Sequence, residues 1–420
     1  MREILWLCNI VLPDFCEEFG IKKRSSGGWM TGMLHELEKR DELEITLCFP
    51  IYDKERLKDG QWNGHGYYTF LCDDMEEYNF QMIRSFERIL KERHWDLIHI
   101  WGTEFPHTTA ILLACKNMGI LNKAVINIQG LVSNISYHYR AGIPGRYWKL
   151  QNRDGISLKA QQKSYERRGK CEIESVKMAQ HVIGRTDWDK ACITAVNPYV
   201  RYFCCGEILR EEFYNHVGEW EYSKCRKYSI FVSQASYPVK GFHYLLQALP
   251  FIIEEYPDTC VYVSGADIMG MKEKEPYAVY LAGLMEHLGL NSYVTFLGML
   301  DETEMVRQYL NANVFISAST VENESNSLSE ARLLGTPSVA SFVGGAYARI
   351  DFGRDGFLYP HDEPVLLAHY VKKIFANKEN VCTKFSCNSV RKIKKYTDPE
   401  RNAEKNVGIY EEIMCLEGGS

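Results

Sequence analysis

The chain has 420 residues, 45% of them hydrophobic and 25% charged, with a formal net charge of −6. That balance belongs to a soluble globular protein and excludes a disordered polymer, a collagen-like repeat and a supercharged nucleic-acid tail. At roughly 150 residues per domain the length predicts two or three domains, each able to bury a core without disulfide or metal staples. The acidic balance gives no bulk attraction to DNA or RNA, and no nucleic-acid partner is expected.

In chain order, residues 4–11 read as a first β-strand. Asn9 interrupts the apolar run, no small-residue cleavage site follows, and the charged stretch 17–24 comes next, so a signal peptide does not fit. Further short apolar runs lie at 45–49, 97–101, 124–128 and 181–183, then at 229–232, 260–263, 294–297, 314–316 and 338–340. Runs apolar on both faces belong in parallel sheets covered by helices. Between them lie segments of helical spacing. Phe242, Leu245, Leu246, Leu249, Ile252 and Ile253 keep the three-four rhythm, and Pro250 predicts a kink or a split in that helix. Residues 398–414 read as a closing amphipathic helix. This alternation predicts an α/β protein with right-handed crossovers, built as two doubly wound, Rossmann-like domains. The expected domains are 1–218 and 219–397, with the seam in the charged, aromatic stretch 207–227 and the last helix, about 398–420, packing back onto the first domain.

The fourteen cysteines are scattered, without a CxxC pair or a Cys/His cluster of zinc spacing. They read as reduced, mostly buried thiols of a cytoplasmic protein. No run approaches the ~18 continuous apolar residues that span a bilayer.

Three constellations carry chemistry. Ser25-Ser26-Gly27-Gly28-Trp29 leads into a helix expected over 30–37. Glycines there let backbone approach a ligand and the helix start suits an anion, although an ordinary turn has the same composition. The spacing is neither GxGxxG nor a Walker A loop. Pro238-Val239-Lys240-Gly241 follows the strand at 229–232. A lysine there can neutralise a diphosphate as a point charge, and a solvated surface lysine is the plainer reading. The densest constellation, 317–331, follows the strand at 314–316, at the carboxyl end where open α/β sheets bind ligands.

Within it, Asn326 and Ser327 stand where helix-start amides can hold a phosphate. Glu322 and Glu330 are eight apart, and carboxylates can hold vicinal sugar hydroxyls. Glu322 also reads as a solvated loop acid, and Ser327-x-x-Glu330 as a capping box that uses Glu330 structurally. Val343-Gly344-Gly345-Ala346 follows the next strand. Together these strand-end features predict a phosphorylated sugar held in a cleft that the two domains face.

These residues resemble those of a known family. Glu322-x7-Glu330-Ala331, Gly335-Thr336-Pro337, Gly344-Gly345 and Asp355-Gly356-Phe357-Leu358 come in the order of the donor domain of GT-B glycosyltransferases, the retaining family-4 group. Asn326-Ser327 before Leu328-Ser329-Glu330 is similar to a capsule and exopolysaccharide subgroup. Val239-Lys240-Gly241 and Gly27-Gly28 match the family's lysine-glycine and its first glycine loop. The resemblance implies that Lys240 binds the donor diphosphate, Glu330 the nucleotide ribose, and Glu322 the hydroxyls of the transferred sugar. It implies sugar or phosphate contacts for Gly344 and Gly345, backbone approach to the diphosphate at Gly28, and a place near the base for Gly298. It implies no divalent metal and no cofactor beyond the nucleotide sugar. Asp187-Trp188-Asp189 looks like a metal-binding DxD, but Thr186-x-x-Asp189 more simply starts a helix.

Two positions depart from the family pattern. Ala235 stands five residues before Lys240, where an arginine is usual. Diphosphate charge then rests on Lys240 and backbone amides, with Ser233, Gln234 or Ser236 in support. Gln129-Gly130 replaces a histidine on the acceptor side, and a glutamine donates a hydrogen bond but does not titrate. Glu104, in Gly102-Thr103-Glu104-Phe105-Pro106-His107, is the best-placed acid on that side. His107 reads either as an acceptor-side group or as a satisfied core histidine.

From 137 to 170 there are nine basic residues, Arg140, Arg146, Lys149, Arg153, Lys159, Lys163, Arg167, Arg168 and Lys170, against the two acids Asp154 and Glu166. Interleaved aromatics, Trp148 among them, suit an anionic lipid interface or a lipid-diphosphate acceptor, and an ordinary solvated helical face fits the same residues. The expected function is transfer of a sugar from a nucleotide-diphosphate sugar, uridine or guanosine, to a glycan or polyprenyl-diphosphate-linked acceptor. Retention is implied, with Glu322, Lys240 and Glu104 as the catalytic group, in surface polysaccharide synthesis in the cytoplasm or on the inner membrane face. A nucleotide-sugar epimerase, a phosphorylase or a non-catalytic binding protein on the same scaffold are the alternatives.

Overall fold

The computed structural model describes residues 1–21, 28–53, 58–271, 275–376 and 379–417. Ser25, Ser26 and Gly27 lie outside the described residues, so the first glycine loop is seen only from Gly28 onward. The chain forms two compact units. One takes Met1–Ser136, Ser164–Ile208 and the segment from Thr397; the other takes Tyr137–Lys163 and Leu209–Tyr396. The border expected at 218 thus falls at Ile208/Leu209, and Tyr137–Lys163, expected in the first domain, belongs to the second unit. The physical reason for the earlier border is aromatic burial. Phe213 and Trp220 are buried, and the amides of Gly218 and Trp220 donate to the Leu333 and Leu334 carbonyls.

In the first unit the described strands are β1 Arg2–Leu7, β2 Leu43–Ile51, β3 Gly60–Trp62, β4 His65–Leu71, β5 Leu97–Trp101, β6 Ala124–Asn127, β7 His181–Gly184 and β8 Arg201–Cys204. They form one sheet in the order β3-β4-β2-β1-β5-β6-β7-β8, parallel except for the β3–β4 hairpin. In the second unit they are β9 Ser229–Val232, β10 Cys260–Ser264, β11 Val294–Gly298, β12 Val314–Ser317, β13 Ser338–Ser341 and β14 Phe357–Tyr359. These form a wholly parallel sheet in the order β11-β10-β9-β12-β13-β14. Both sheets reverse direction of winding once, between β1 and β5 and between β9 and β12. Such a switch point leaves a crevice beyond the strand ends, because the flanking crossovers run to opposite faces.

The apolar runs read from sequence each overlap a strand, although the first strand, read over 4–11, ends at Leu7. β3, β4, β8 and β14 are additions. Asn63 and Gly64, at φ +48° and +86°, close the β3–β4 hairpin, as the primed turn of a two-residue hairpin requires. Helix Phe242–Ile253 is one piece and runs through Pro250, so the expected split does not occur. The proline sits in the last turn, where its missing N–H forfeits a single helical bond. The closing helix spans Pro399–Glu417 and belongs to the first unit, where Tyr410 packs among Trp6 and His99. Nine of the fourteen cysteines are buried and all are free thiols. Among the described residues no helix is long and apolar enough to cross a membrane.

Candidate functional site

In the second unit Lys240, Glu322 and the helix start at Asn326 and Ser327 lie together at the switch point. The turn after β9 carries Lys240, and Gly241 closes it at φ +65°. A Cβ on Gly241 would lie 1.9 Å from the Ala318 carbonyl oxygen, so only glycine lets this turn rest on the loop after β12. The Thr320 amide donates to the Val239 carbonyl at 2.8 Å and ties the same two loops. Across that seam Lys240 Nζ meets Glu322 Oε2 at 2.8 Å, and Ser319 Oγ donates to the same oxygen at 3.1 Å. Burial alone would pull the Lys240 ammonium down, but Glu322 and then Tyr237 outweigh it and hold it above its ordinary value. The pair is therefore a stable ammonium–carboxylate contact.

Beside it is a small polar cavity of about 20 Å³, lined by Ser233, Gln234, Lys240, Ser319, Ser325 and Ser327 among others. Helix Asn326–Leu334 starts at this cavity, with Asn326 and Ser327 as its first two residues. Hydroxyls, one ammonium and a helix start are the ingredients of an anion cradle. Its cap corrects the sequence reading. Ser325, not Ser327, is the N-cap and accepts from the Leu328 amide at 3.2 Å.

Glu330 takes no part in that cap. Arg210 Nε and Nη2 both donate to its Oε1 at 2.8 Å, and the Tyr309 hydroxyl donates to Oε2 at 3.3 Å. Arg210 and Tyr309 were missed from sequence, since partners 120 and 21 residues away leave no local pattern. Gly344 and Gly345 also act through backbone. The Gly345 amide donates to the Glu322 carbonyl at 3.0 Å, and a Cβ on Gly344 would lie 1.7 Å from that oxygen. The paired glycines thus hold the backbone of Glu322. Gly298, at φ +75°, ends β11 and accepts from the Gly265 amide. A Cβ on Gly265 would lie 2.5 Å from Gln234 Oε1, the oxygen that accepts from Ser236 Oγ and the Ala235 amide. Ala235 is fully buried, so the arginine expected there has no counterpart at that position.

In the first unit, Gly28 opens helix Gly28–Leu37. Glu104 lies just beyond β5, where its Oε1 accepts from the Gly130 amide at 2.8 Å and its Oε2 from Asn9 Nδ2 at 3.4 Å. Burial raises it above the usual carboxylate range, opposed by its own amide, the Gly130 amide and Asn9. Gln129 donates from Nε2 to Asn127 Oδ1 at 3.0 Å, and its carbonyl accepts from Arg185 Nη2. His107 is a correction. It is 1% exposed, packs on Phe70 and Phe105, and both ring nitrogens lack a hydrogen-bond partner among the described residues. Burial lowers it to about 3, so it is a neutral core side chain and no acceptor-side base.

A second acid, Glu172, was missed because helix Leu158–Met178 gives it no motif. It accepts from the Val132 and Ser133 amides and from Thr103 and Ser133 hydroxyls. Burial raises it to about 7, with these donors opposing.

The basic residues divide. Arg140, Arg146, Trp148 and Lys149, expected on the acceptor side, all belong to the second unit. Arg140 lies over the Trp148 ring at 4.0 Å and Trp148 Nε1 donates to Ile143, so this pair shapes the loop. Arg146 and Lys149 are exposed. Asp189 caps helix Asp187–Val196 reciprocally with Thr186, as its spacing predicted. Among the described residues no group of three or more His, Cys, Asp or Glu side chains could hold a metal ion.

Residues 226–377 match the family model described as Glycosyl transferases group 1. Spore coat protein SA of Bacillus subtilis (strain 168) is 29% identical over 207 residues, covering 48% of this chain and 50% of that protein. The chain spans 33% to 50% of the length of the curated relatives it matches. Sucrose-phosphate synthase from Thermosynechococcus elongatus superposes with a TM-score of 0.72 at 14% identity, over 99% of this chain and 100% of that one. Anabaena HepE in complex with UDP and glucose gives 0.65 at 15% identity, over 98% and 100%. The fold is that of the GT-B glycosyltransferases, two Rossmann-like α/β units. Residues 226–377, just over a third of the chain, are thus similar to the group 1 glycosyl transferases.

Proposed function

We propose that this protein transfers a sugar from a nucleoside-diphosphate sugar to a glycan or lipid-linked acceptor, with retention. The observation that carries this reading is the Lys240–Glu322 pair at the β9/β12 switch point, beside the hydroxyl-lined cavity and the start of helix Asn326–Leu334. A diphosphate leaving group develops negative charge as the glycosidic bond breaks. Lys240 and the helix start stabilise that charge in place, without reorganisation. Glu322, held at its carbonyl by Gly345 and at its carboxylate by Lys240 and Ser319, is oriented to accept from sugar hydroxyls. Glu330 serves the ribose while Arg210 and Tyr309 fix its carboxylate. Glu104 is the acid assigned to the acceptor side. HepE, solved with UDP and glucose, supports a sugar-nucleotide donor, and the D-inositol 3-phosphate glycosyltransferase of Corynebacterium urealyticum supports glycosyl transfer.

The acceptor is a lipid-linked glycan of a surface polysaccharide. Exposed Arg146, Lys149, Arg153 and Lys159, with Leu150 and Ile156 also exposed, fit an anionic lipid surface, each well-placed cation contributing about 1 kcal/mol. Co-sedimentation with phosphatidylserine liposomes is expected to weaken at high salt; absent or salt-independent pelleting counts against the lipid surface.

The deciding experiment is a panel of uridine and guanosine nucleotide sugars scored for transfer and for donor hydrolysis. One donor is expected to be turned over, and Glu322→Ala to abolish it. Epimerisation or phosphorolysis without a second acceptor, or binding without turnover, would replace this reading.

A further inference from the structure

Two residues beyond Glu322 the same loop carries another acid, which the donor chemistry leaves unused. The Glu324 side chain is 4% exposed and its partner, Arg349, is 2% exposed. Arg349 Nε donates to Glu324 Oε1 at 2.7 Å, and Nη2 converges on the same oxygen. Arg349 follows the short helical turn Ala346–Ala348, itself next to Gly344-Gly345, and its guanidinium lies 4.4 Å from the Tyr396 ring centroid. Segment 344–349 therefore grips the loop after β12 twice, through the Gly345 amide on the Glu322 carbonyl and through Arg349 on Glu324. From the other direction Val239 and Lys240 hold Thr320 and the Glu322 side chain.

A buried ion pair adds little net stability, because removing two charges from water offsets most of their attraction. What it does supply is direction. Charge-assisted N–H···O bonds from a planar guanidinium fix where the acceptor oxygen sits. Glu324 lies midway between Glu322 and Asn326, so fixing it fixes the register of both.

We propose that Arg349 is a positioning residue: by clamping Glu324 it holds the loop so that Glu322 faces Lys240 and helix Asn326–Leu334 presents its start to the donor diphosphate. Arg349 acts through Glu324 and does not itself meet the donor. The proposal rests on the donor-site reading above, and the test separates the two.

Two variants of the full chain serve. Glu324→Met/Arg349→Met removes both charges at similar volume and leaves no unpaired buried charge. Arg349→Lys keeps the charge but loses the fork. Each is measured for melting temperature, amide hydrogen exchange over 319–328, and affinity for UDP and GDP by calorimetry. The double variant is expected to melt like the wild type while its loop amides exchange about tenfold faster, as for a segment released to local opening. Its nucleotide affinity is expected to fall by a similar factor, and Arg349→Lys to restore part of the protection. A double variant that melts early passes the decision to Arg349→Lys, in which exchange must rise in this loop at unchanged melting. Unchanged loop exchange in a folded variant overturns the clamp, whether or not nucleotide binds. A wild type that binds neither nucleotide overturns the donor reading instead, and loop exchange alone then decides the clamp.

Discussion

The two units both hold acids near the ends of their strands and treat them in opposite ways. Beyond β9 and β12, Glu322, Glu330 and Glu324 each meet a cation, Lys240, Arg210 and Arg349 respectively. Beyond β5 and β6, Glu104 and Glu172 are held by amides, hydroxyls and a side-chain carboxamide. The first arrangement sets each carboxyl group directly against a cationic side chain. The second lets burial dominate, so Glu104 is raised and Glu172 reaches about 7. One fold thus yields a fixed charge lattice suited to gripping an anion and its sugar, and a pair of acids able to take or release protons.

The largest expected effect falls on the charge lattice. Glu322→Gln keeps the shape but removes the charge facing Lys240, and sugar transfer is expected to drop about 100- to 1,000-fold, the cost of losing one preorganised electrostatic group. A loss of less than about tenfold in kcat/KM would mean that the lattice is structural only. Next comes Arg210→Met, which leaves Glu330, 5% exposed, without its cation. Removing one partner of a buried pair is expected to cost about 3–5 kcal/mol, read as a lower midpoint in urea unfolding. Adding Glu330→Leu is expected to recover most of it; if the double variant is as unstable as the single, the interaction is not the source.

A smaller effect tests the other side of the contrast. The folded protein holds the Glu172 proton more tightly than the unfolded chain does, because burial lifts this group from its ordinary 4.5 to about 7. Its contribution to stability is therefore full below about pH 4.5 and falls as pH rises toward 7, by an amount of order 3 kcal/mol. Glu172→Gln is expected to flatten that slope between pH 5 and 7, about the window set by the shifted carboxyl. A slope unchanged by the substitution would place the titration on another group.

Much of the donor side was legible because its chemistry is local. β9 and β12 are short runs buried along nearly their whole length, and Lys240, Glu322 and Asn326 lie in the segments that follow them. What escaped depends on contacts distant in sequence. Glu330 had the spacing of a capping box, but a local hydrogen bond lost to Arg210 and Tyr309, and the cap passed to Ser325. His107 sat beside Glu104 in sequence, yet the helix it begins turns the ring into the core against Phe70. The β3–β4 hairpin was readable, since Asn63-Gly64 between aromatic-rich segments is a strong turn signal. β8 and β14 are short strands at sheet edges; β8 is partly exposed, and β14, only three residues long, is too short a run to stand out.

The central claim is that Lys240, set against Glu322, receives the diphosphate of a nucleotide sugar. Calorimetric titration of UDP and GDP into the wild type and into Lys240→Ala tests it most directly. One nucleotide is expected to bind the wild type and to bind the variant at least about thirtyfold more weakly, which corresponds to the ~2 kcal/mol of a charge-assisted contact. Equal affinity for a folded Lys240→Ala protein, or no binding by the wild type at all, would contradict the account.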